Sequence, residues 1–258
     1  MDAQQAIRVN GRNNKQAIID FLEHYYLNRK NGMAESKPLQ PICLFCASTI
    51  GITAEHVLPR WVFNKDADRT FNTRINGLSH KYSRTTIPAC RTCNNNLLNA
   101  LEKRVFQLFL AHQQHQNFFN REEKSDVIRW LELLDYKYQV FSLNTRFRAL
   151  KGKVVIPFLS DYPLSVLDSN IEFSPVKVIR SLRAALGRIA TKSKVKNLNS
   201  LVTFKTSNPD IHFFHKNNDF IFLELPKYKL ALLYFYVQIF PNELEARDAA
   251  MEIIKQHY

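Results

Sequence analysis

The 258-residue sequence predicts an α+β protein, with a compact core in its first half and a small antiparallel α+β domain in its second. Three observations favour this class. Apolar residues recur at helical spacing in several long segments. Short apolar runs bounded by turn residues follow one another towards the C-terminal end. All four cysteines lie between residues 43 and 93, in two pairs of identical spacing.

Three helices are predicted in the first half, at about 14–29, 95–117 and 121–138. Asn120 and Glu123 have the spacing of a capping box, which favours the start of the third helix at that point. The predicted buried faces of these helices contain Ile18, Leu22, Tyr25, Leu98, Leu101, Val105, Leu108, Phe109, Val127, Trp130, Leu131 and Leu134.

The second half is predicted to begin with a strand at 153–158. A helix starts at Ser174-Pro175, since a serine cap followed by proline in the first turn is typical of helix starts. A final helix is expected after Asn242, with Glu245 at capping-box spacing. Further strands are predicted at 200–206, 211–215, 219–225 and 230–240.

The cysteines form the pairs Cys43-Leu-Phe-Cys46 and Cys90-Arg-Thr-Cys93. The first residues lack the apolar stretch of an export signal, so we expect reduced thiols rather than disulfides. Two C-x-x-C pairs can supply four thiolates to one tetrahedral zinc ion. Such a site has no open coordination position, so the zinc is predicted to stabilise structure rather than to react.

The net charge of the chain indicates the chemical class of its binding partner. Lys and Arg number 36 against 23 Asp and Glu, which gives a formal charge of +13. This excess favours a polyanion such as nucleic acid. An anionic membrane surface is the alternative polyanion. The longest apolar run, Leu230 to Val237, is too short to cross a bilayer, and a buried zinc fold has no use at a membrane surface, so no membrane partner is expected. We therefore predict a cytoplasmic protein.

Between and after the cysteine pairs the chain reads Ala54-Glu55-His56-Val57-Leu58-Pro59-Arg60-Trp61, then Asn94-Asn95-Asn96, and further on Leu101-Glu102. In this order, with the cysteines, these motifs resemble the HNH endonucleases, the ββα-metal nucleases. The resemblance covers roughly residues 40 to 105. It implies a zinc-stabilised ββα-metal core within the α+β fold, flanked by helices.

The resemblance implies a role for each matching residue. His56 would act as the general base, which suits a side chain that titrates near neutral pH. Glu55 and Asn94 would hold a catalytic Mg²⁺ or Mn²⁺ ion, which prefers oxygen ligands. Asn95 is the alternative to Asn94, and Glu102 is a further candidate site residue.

The chain departs from the family where many members place an asparagine that orients the catalytic histidine. Residues 83–88 read Ser-Arg-Thr-Thr-Ile-Pro, without an asparagine. The preceding segment, about 60–84, is predicted to be a long loop. Candidates for the orienting residue are Asn72, Asn76, His80 and Thr85.

Two acid-free segments are candidate contacts for a phosphate backbone, one at residues 69–101 and one at 173–209. The predicted nucleic-acid contacts are Arg60, Arg69, Arg74, Lys81, Arg84, Arg91, Arg180, Arg183 and Arg188. Trp61 is expected to pack in the core. The histidines outside the motif, His112, His115, His212 and His215, are expected to lie at the surface.

Together these observations predict a metal-dependent HNH endonuclease that hydrolyses DNA. Two alternatives stay open: a non-catalytic zinc module that binds nucleic acid, and an HNH ribonuclease. The resemblance also suggests antiviral defence, where some effectors act with an ATPase partner in a defence operon, and equally restriction or mobile-element cleavage. Cutting of palindromic sites would favour a homodimer. The predicted division is an N-terminal helical segment at 1–35, the zinc-bound core at 36–120, a helical connector at 121–150 and the C-terminal α+β domain at 151–258.

Overall fold

The computed structural model describes residues 2–27, 40–63, 69–73, 78–115, 119–146, 175–191, 195, 197–216 and 218–257. Over this part of the chain the protein has an α+β fold, as predicted. The helices are α1 (Ala3–Leu27), α2 (Asn99–His115), α3 (Arg121–Arg146), α4 (Pro175–Ala190) and α5 (Glu243–His257). None of the helices among the described residues is long and apolar enough to cross a membrane.

The strands are β1 (Ile52–His56), β2 (Thr70–Thr73), β3 (Leu78–Lys81), β4 (Thr86–Cys90), β5 (Leu201–Lys205), β6 (Phe213–Lys216), β7 (Phe220–Leu225) and β8 (Leu230–Phe235). They form two small sheets, β1 with β4 and β2 with β3, and a four-stranded sheet in the order β5-β8-β7-β6. The paired strands of the larger sheet run antiparallel, with Phe220 opposite Phe235.

The chain divides into two compact units, each built from separate segments. The first unit consists of Met1–Glu55, Thr86–Leu98 and Tyr136–Thr191. In it, α1 packs against α4, and a π-helical segment at Thr92–Leu98 follows β4 and also packs against α1. The unit therefore contains all four cysteines.

The second unit consists of His56–Thr85, Asn99–Asp135 and Lys192–Tyr258. Its large sheet buries an apolar cluster under α5, with Phe222, Leu233 and Phe235 from the strands and Ala246 and Ala250 from the helix. Apolar residues on alternate sheet positions and a four-residue repeat on the helix explain this contact. The same unit contains the β2–β3 hairpin.

Helix α3 is buried around its whole circumference, since every residue from 126 to 141 is buried. Val127, Trp130, Leu131 and Leu134 are fully inaccessible, as the helical spacing predicted. Buried charged residues on this helix have partners: Asp126 pairs with Arg104, Arg129 with Glu132, Asp135 with His215 and Lys137 with Glu55. A buried charge is tolerated only when it is paired in this way.

Several helix ends follow the predicted caps. The Asn120 backbone N–H donates to Glu123, and the Glu123 N–H donates back to the Asn120 side chain at 3.0 Å. At the start of α5, the Glu245 N–H donates to Asn242 Oδ1 at 2.9 Å. Helix α1 starts at Ala3, much earlier than the predicted residue 14.

The segment 60–84 is not the long loop that was predicted, because β2 and β3 form a hairpin within it. These strands are only four residues long, so their periodicity is too short to detect. The predicted strand at 153–158, the cap residue Ser174 and the boundary at 150/151 lie outside the described residues. Those predictions therefore stay open.

Candidate metal centre and candidate active site

The four cysteines form one cluster. Their Sγ atoms all lie within 4.8 Å of one another, and Cys46 Sγ is 3.7 Å from Cys90 Sγ. Tetrahedral zinc with Zn–S bonds of about 2.3 Å places its sulfurs about 3.8 Å apart. The sulfur positions are therefore compatible with a structural zinc site.

Backbone geometry brings each cysteine pair into the cluster. The Ala47 N–H donates to the Cys43 carbonyl at 2.8 Å, and Ala47 has a φ of 58°, which closes a tight turn around the first pair. In the second pair, the Cys93 N–H points at Cys90 Sγ, 3.4 Å away. Backbone N–H groups directed at sulfur stabilise thiolates, which are the form that binds metal.

The thiol pKa values indicate competition for negative charge within the cluster. The hydrogen bond from Cys93 lowers the pKa of Cys43 to about 5. Burial raises the pKa of Cys46 to about 11, and the hydrogen bond to Cys43 raises the pKa of Cys93. Without a cation, one thiolate thus suppresses ionisation of its neighbours. A divalent ion held by the four sulfurs would remove this conflict, because its charge would neutralise the thiolates directly.

The first cysteine turn is anchored from α3. The Tyr136 hydroxyl donates to the Leu44 carbonyl oxygen at 2.6 Å, and the Tyr136 ring meets Phe45 edge-on. Burial raises the pKa of Tyr136, so its hydroxyl keeps its proton. This contact gives the buried Leu44 carbonyl in the first cysteine turn its hydrogen-bond partner.

Asn94 lies in the π-helical segment directly after Cys93 and is joined to β1. Its Nδ2 donates to Thr53 Oγ1 at 3.1 Å, and Thr53 Oγ1 donates to the Ala89 carbonyl of β4 at 2.9 Å. With the amide nitrogen used in this way, the carbonyl oxygen of Asn94 is the atom suited to bind a cation. These two hydrogen bonds therefore hold Asn94, which follows the second cysteine pair, in place relative to β1, the strand that ends in Glu55-His56.

Glu55 is buried, with 7% of its surface exposed, and its carboxylate forms an ion pair with Lys137 of α3. Lys137 is fully inaccessible. Glu55 shares a face of β1 with Thr53, since residues two apart on a strand point the same way. No sequence pattern indicated Lys137 as the partner, because a lysine on a helix is usually solvated.

His56 lies at the end of β1 and is oriented by Tyr82. Its Nδ1 is 3.1 Å from the Tyr82 carbonyl oxygen, and its ring stacks on the Tyr82 ring with centroids 3.8 Å apart. A carbonyl oxygen only accepts, so Nδ1 carries the hydrogen. In the neutral imidazole, Nε2 is then the basic nitrogen.

Tyr82 was not among the predicted orienting residues. Of those, Thr85 donates its hydroxyl to the Lys81 carbonyl, Asn72 donates its backbone N–H to Ile211, and His80 stacks on Phe71. Burial lowers the pKa of His80. Asn76 lies outside the described residues. Among the described contacts, a backbone oxygen orients His56, which no side-chain pattern reveals.

Basic residues border Tyr82. The Arg69 guanidinium lies 5.9 Å from the centre of the Tyr82 ring, and the Arg69 carbonyl accepts the Tyr82 N–H at 2.9 Å. Lys81 and Arg84 are close to Tyr82 in the chain and exposed, as is Arg60. Of the predicted nucleic-acid contacts that the structure describes, four thus belong to the unit that holds His56.

The remaining predicted site residues differ in their exposure. Arg91 and Asn95 are exposed, and Glu102 is half-buried in the first turn of α2. Arg180 and Arg183 are exposed on α4, and Arg188 is half-buried there. Arg74 lies outside the described residues.

Two expectations about single residues are settled by packing. Trp61 stacks on Trp130 with centroids 5.4 Å apart, in an aromatic cluster that includes Phe109, which confirms its packing role. The expectation that His212 and His215 lie at the strand surface is wrong. His212 is buried with its Nδ1 2.8 Å from Glu224, and His215 binds the buried Asp135 at 2.9 Å.

His112 is half-buried and packs on Phe119, while the side chain of His115 lies outside the described residues. The strand pattern around His212 and His215 could not reveal their contacts, because the acidic partners lie 12 and 80 residues away in the chain.

The Glu55 and Asn94 oxygens are a donor set that suits Mg²⁺ or Mn²⁺. Mg²⁺ is commonly held by one or two protein oxygens, with waters and substrate phosphates completing its coordination. Lys137 shares the Glu55 carboxylate, so a cation there would bind beside an existing positive charge.

No protein-family model, curated protein or solved structure matches this chain. Fold and site together define an α+β protein with a four-cysteine centre compatible with zinc.

Proposed function

We propose that the protein is a metal-dependent HNH-type endonuclease that hydrolyses DNA phosphodiester bonds. The observation that carries this proposal is the link from the cysteine cluster to β1. Cys93 is followed by Asn94, which binds Thr53 on the strand that ends in Glu55-His56. A rigid connection of this kind supports the preorganised geometry that catalysis requires.

In the proposed reaction, His56 Nε2 takes a proton from a water molecule whose oxygen attacks the phosphorus. The P–O bond to the leaving sugar oxygen then breaks, and that oxygen gains a proton from solvent. The Tyr82 carbonyl holds the imidazole in the required tautomer through Nδ1. Glu55 and Asn94 would hold Mg²⁺ or Mn²⁺, which supplies charge stabilisation to the phosphate when bound.

The zinc ion would serve a structural role and would be held by Cys43, Cys46, Cys90 and Cys93. Lys137 fixes the Glu55 carboxylate from the interior. The basic residues near Tyr82, namely Arg69, Lys81 and Arg84, would contact the phosphate backbone around the scissile bond. This assignment agrees with the excess of 36 basic over 23 acidic residues.

One observation favours a second candidate, a non-catalytic zinc module that binds nucleic acid. The Glu55 carboxylate already has a cationic partner in Lys137, and this pairing weakens the case for a metal ion there. In that case His56 and Asn94 would stabilise the β1 region without taking part in chemistry.

The test is digestion of supercoiled plasmid with Mg²⁺ or Mn²⁺ by the parent protein and by His56→Ala, with an RNA of equal length digested in parallel. The parent is expected to nick the plasmid, and His56→Ala is expected to be slower by a factor of about 100 or more. Zinc content and thermal stability should be equal in both proteins. A matched control is His112→Ala, a histidine outside the proposed site.

Equal cutting by the parent and His56→Ala would contradict the assignment of the base. Absence of metal-dependent cutting by the pure parent, with DNA binding retained, would favour the binding module. Faster cutting of RNA than DNA would assign the enzyme to the ribonucleases.

A further inference from the structure

Helices α1 and α4 of the first unit form a closely packed antiparallel pair. A Cβ at Gly11 would lie 3.7 Å from the Ala190 Cβ, near the N-terminal end of α1 and the C-terminal end of α4. Further along, Arg183 of α4 donates to Glu23 of α1 at 2.9 Å. The two helices therefore run in opposite directions.

The outward face of α4 is basic. Arg180, Arg183 and Gly187 are spaced by three and four residues, so they lie on one side of the helix. Arg180 and Arg183 are exposed, while residues on the opposite side, such as Leu182 and Leu186, are buried. Helix α4 contains no Asp or Glu.

Helix α1 extends this basic face. Arg8, Arg12 and Lys15 are spaced by four and three residues and therefore share one flank of the helix. Lys15 Nζ lies 3.2 Å from the position that a Cβ of Gly187 would occupy, so this flank adjoins the outward face of α4. From Ala3 to Ile19 the helix contains no acid.

One acid of α1, Glu23, meets α4, and it pairs with Arg183. The segment 173–209 is itself free of acids, so the acidic partner of Arg183 comes from α1. The other acids of this region are Asp2, directly before α1, and Asp20, which accepts from Gln16. We call Arg8, Arg12, Lys15, Arg180 and Arg183 the basic helix face.

We propose that the basic helix face binds the phosphate backbone of a nucleic acid, and that it is a binding surface in addition to the residues around His56. The identity of the polyanion rests on the proposed function. Cations one helical turn apart can contact successive phosphates of a strand. Gln5, three residues before Arg8, adds an amide that can donate to phosphate oxygens.

The distribution of exposed apolar residues favours nucleic acid over a membrane or a protein partner. Among the described residues, the large exposed hydrophobic side chains are Ile50, Val237, Ile239, Leu244 and Met251, and all of them lie outside α1 and α4. A membrane-binding helix needs large apolar side chains beside its cations, and a protein interface needs an apolar centre. The phosphate backbone needs only cations and hydrogen-bond donors.

The basic helix face is also connected to the proposed metal ligand Asn94, which belongs to the same unit. Helix α1 packs against the π-helical segment that contains Cys93 and Asn94, as well as against α4. A nucleic acid held along α1 would therefore lie on the helix that supports the proposed metal ligand.

The test measures binding of a fluorescent duplex of about 30 base pairs by the full-length His56→Ala protein at several salt concentrations. The variant Arg8→Gln/Arg12→Gln/Lys15→Gln is added to that background. Its affinity at about 0.1 M salt is expected to fall at least about tenfold, and the slope of log affinity against log salt should decrease by about 2 to 3. Glutamine preserves helix propensity, and helicity by circular dichroism together with zinc content checks the fold.

The control carries the same change in net charge at exposed residues outside α1 and α4: Lys103→Gln/Arg121→Gln/Lys255→Gln. It should keep its affinity within about twofold. If the α1 triple variant unfolds, the exposed single change Arg12→Gln replaces it, with an expected decrease of about 1 in the slope.

Unchanged affinity of the α1 variant, or a loss no larger than that of the control, would overturn the proposal. Loss of self-association or of a protein contact by the α1 variant, with unchanged duplex binding, would also overturn it. The outcome is independent of cleavage. A parent protein that never cuts DNA but binds it through the basic helix face would contradict the nuclease and support the binding surface. Normal DNA cutting by the parent, together with unchanged duplex binding by the α1 variant, would support the nuclease and contradict the binding surface.

Discussion

The charged side chain of Lys137 is fully buried and forms an ion pair with Glu55. Removing one member of a buried ion pair leaves the other charge unpaired, which is more damaging than removing both. The pair therefore has two roles to separate. It stabilises the contact of α3 with β1, and it fixes the carboxylate that we propose as a metal ligand.

We predict that Lys137→Met lowers the free energy of unfolding by about 3 to 5 kcal/mol. Adding Glu55→Gln should restore part of this loss, because the unpaired carboxylate is removed. Urea unfolding of the two single variants and the double variant measures the coupling. The exposed Lys103→Met should change stability by less than about 0.5 kcal/mol. Additive losses within about 0.5 kcal/mol would mean that the two residues do not interact.

The cysteines and the orientation of His56 differ in how visible they are in the sequence. Two C-x-x-C pairs predict a shared cluster because each pair places two sulfurs on one turn, and the cluster is present. The partner of His56 is a main-chain oxygen 26 residues away. Any residue type at position 82 offers that oxygen, so the sequence holds no signal for it.

At the scale of elements, the contact between α1 and α4 depends on small residues where the two helices approach. Gly11 faces Ala190, with Leu186 Cδ1 3.9 Å from the position of a Gly11 Cβ. Both neighbours lie at ordinary van der Waals distances from that position. A methyl group therefore fits there, but a larger side chain does not.

We predict that Gly11→Ala raises the free energy of unfolding by about 0.5 to 1 kcal/mol, because glycine inside a helix costs conformational entropy. Gly11→Leu should instead lower it by about 1 to 3 kcal/mol, since the branched side chain must push α4 away. Thermal unfolding followed by circular dichroism compares both variants with the parent. A destabilised Gly11→Ala protein would indicate a closer approach of the two helices.

Element prediction succeeded where the signal was long or capped. The 121–138 helix was predicted from its apolar spacing and its Asn120–Glu123 cap, and both are present. The β2–β3 hairpin was missed because its strands, TFNT and LSHK, are short and mainly polar. Phe71 of this hairpin is buried and packs edge-on against Phe213.

For the whole molecule, the two compact units are interleaved along the chain. The first unit joins chain segments from before and within the predicted core to α4. Helix α4 lies after the predicted domain boundary at 150/151. The buried side of α4, including Val178, Leu182 and Ile189, lies in the first unit, where α4 packs against α1. A fragment that starts at residue 151 would expose this side to water.

We therefore predict that fragments 1–150 and 151–258 do not fold when expressed separately, and that they associate when expressed together. Exposure of the apolar face of α4 would make the separate C-terminal fragment aggregate. Solubility and circular dichroism of each fragment, followed by copurification from one cell, measure this. A control split within residues 28–39, which also removes α1 from α4, should give the same dependence. A soluble, folded 151–258 fragment would support the linear domain division instead.

The α+β class, the cysteine cluster, the capped helices and the positive charge could all be predicted from the amino-acid sequence. Each of these depends on composition or on short spacings, and the two cysteine pairs, although 44 residues apart, indicate a shared site because their spacing is identical. Three contacts became visible only in the folded chain: Tyr82 orients His56, Lys137 pairs with the Glu55 carboxylate, and Lys15 meets Gly187. Each contact joins residues at least 26 positions apart in the chain. The same side chains and carbonyl oxygens usually face solvent when they lie on a protein surface. Local pattern cannot select among such partners, because packing of the whole chain decides which of them meet.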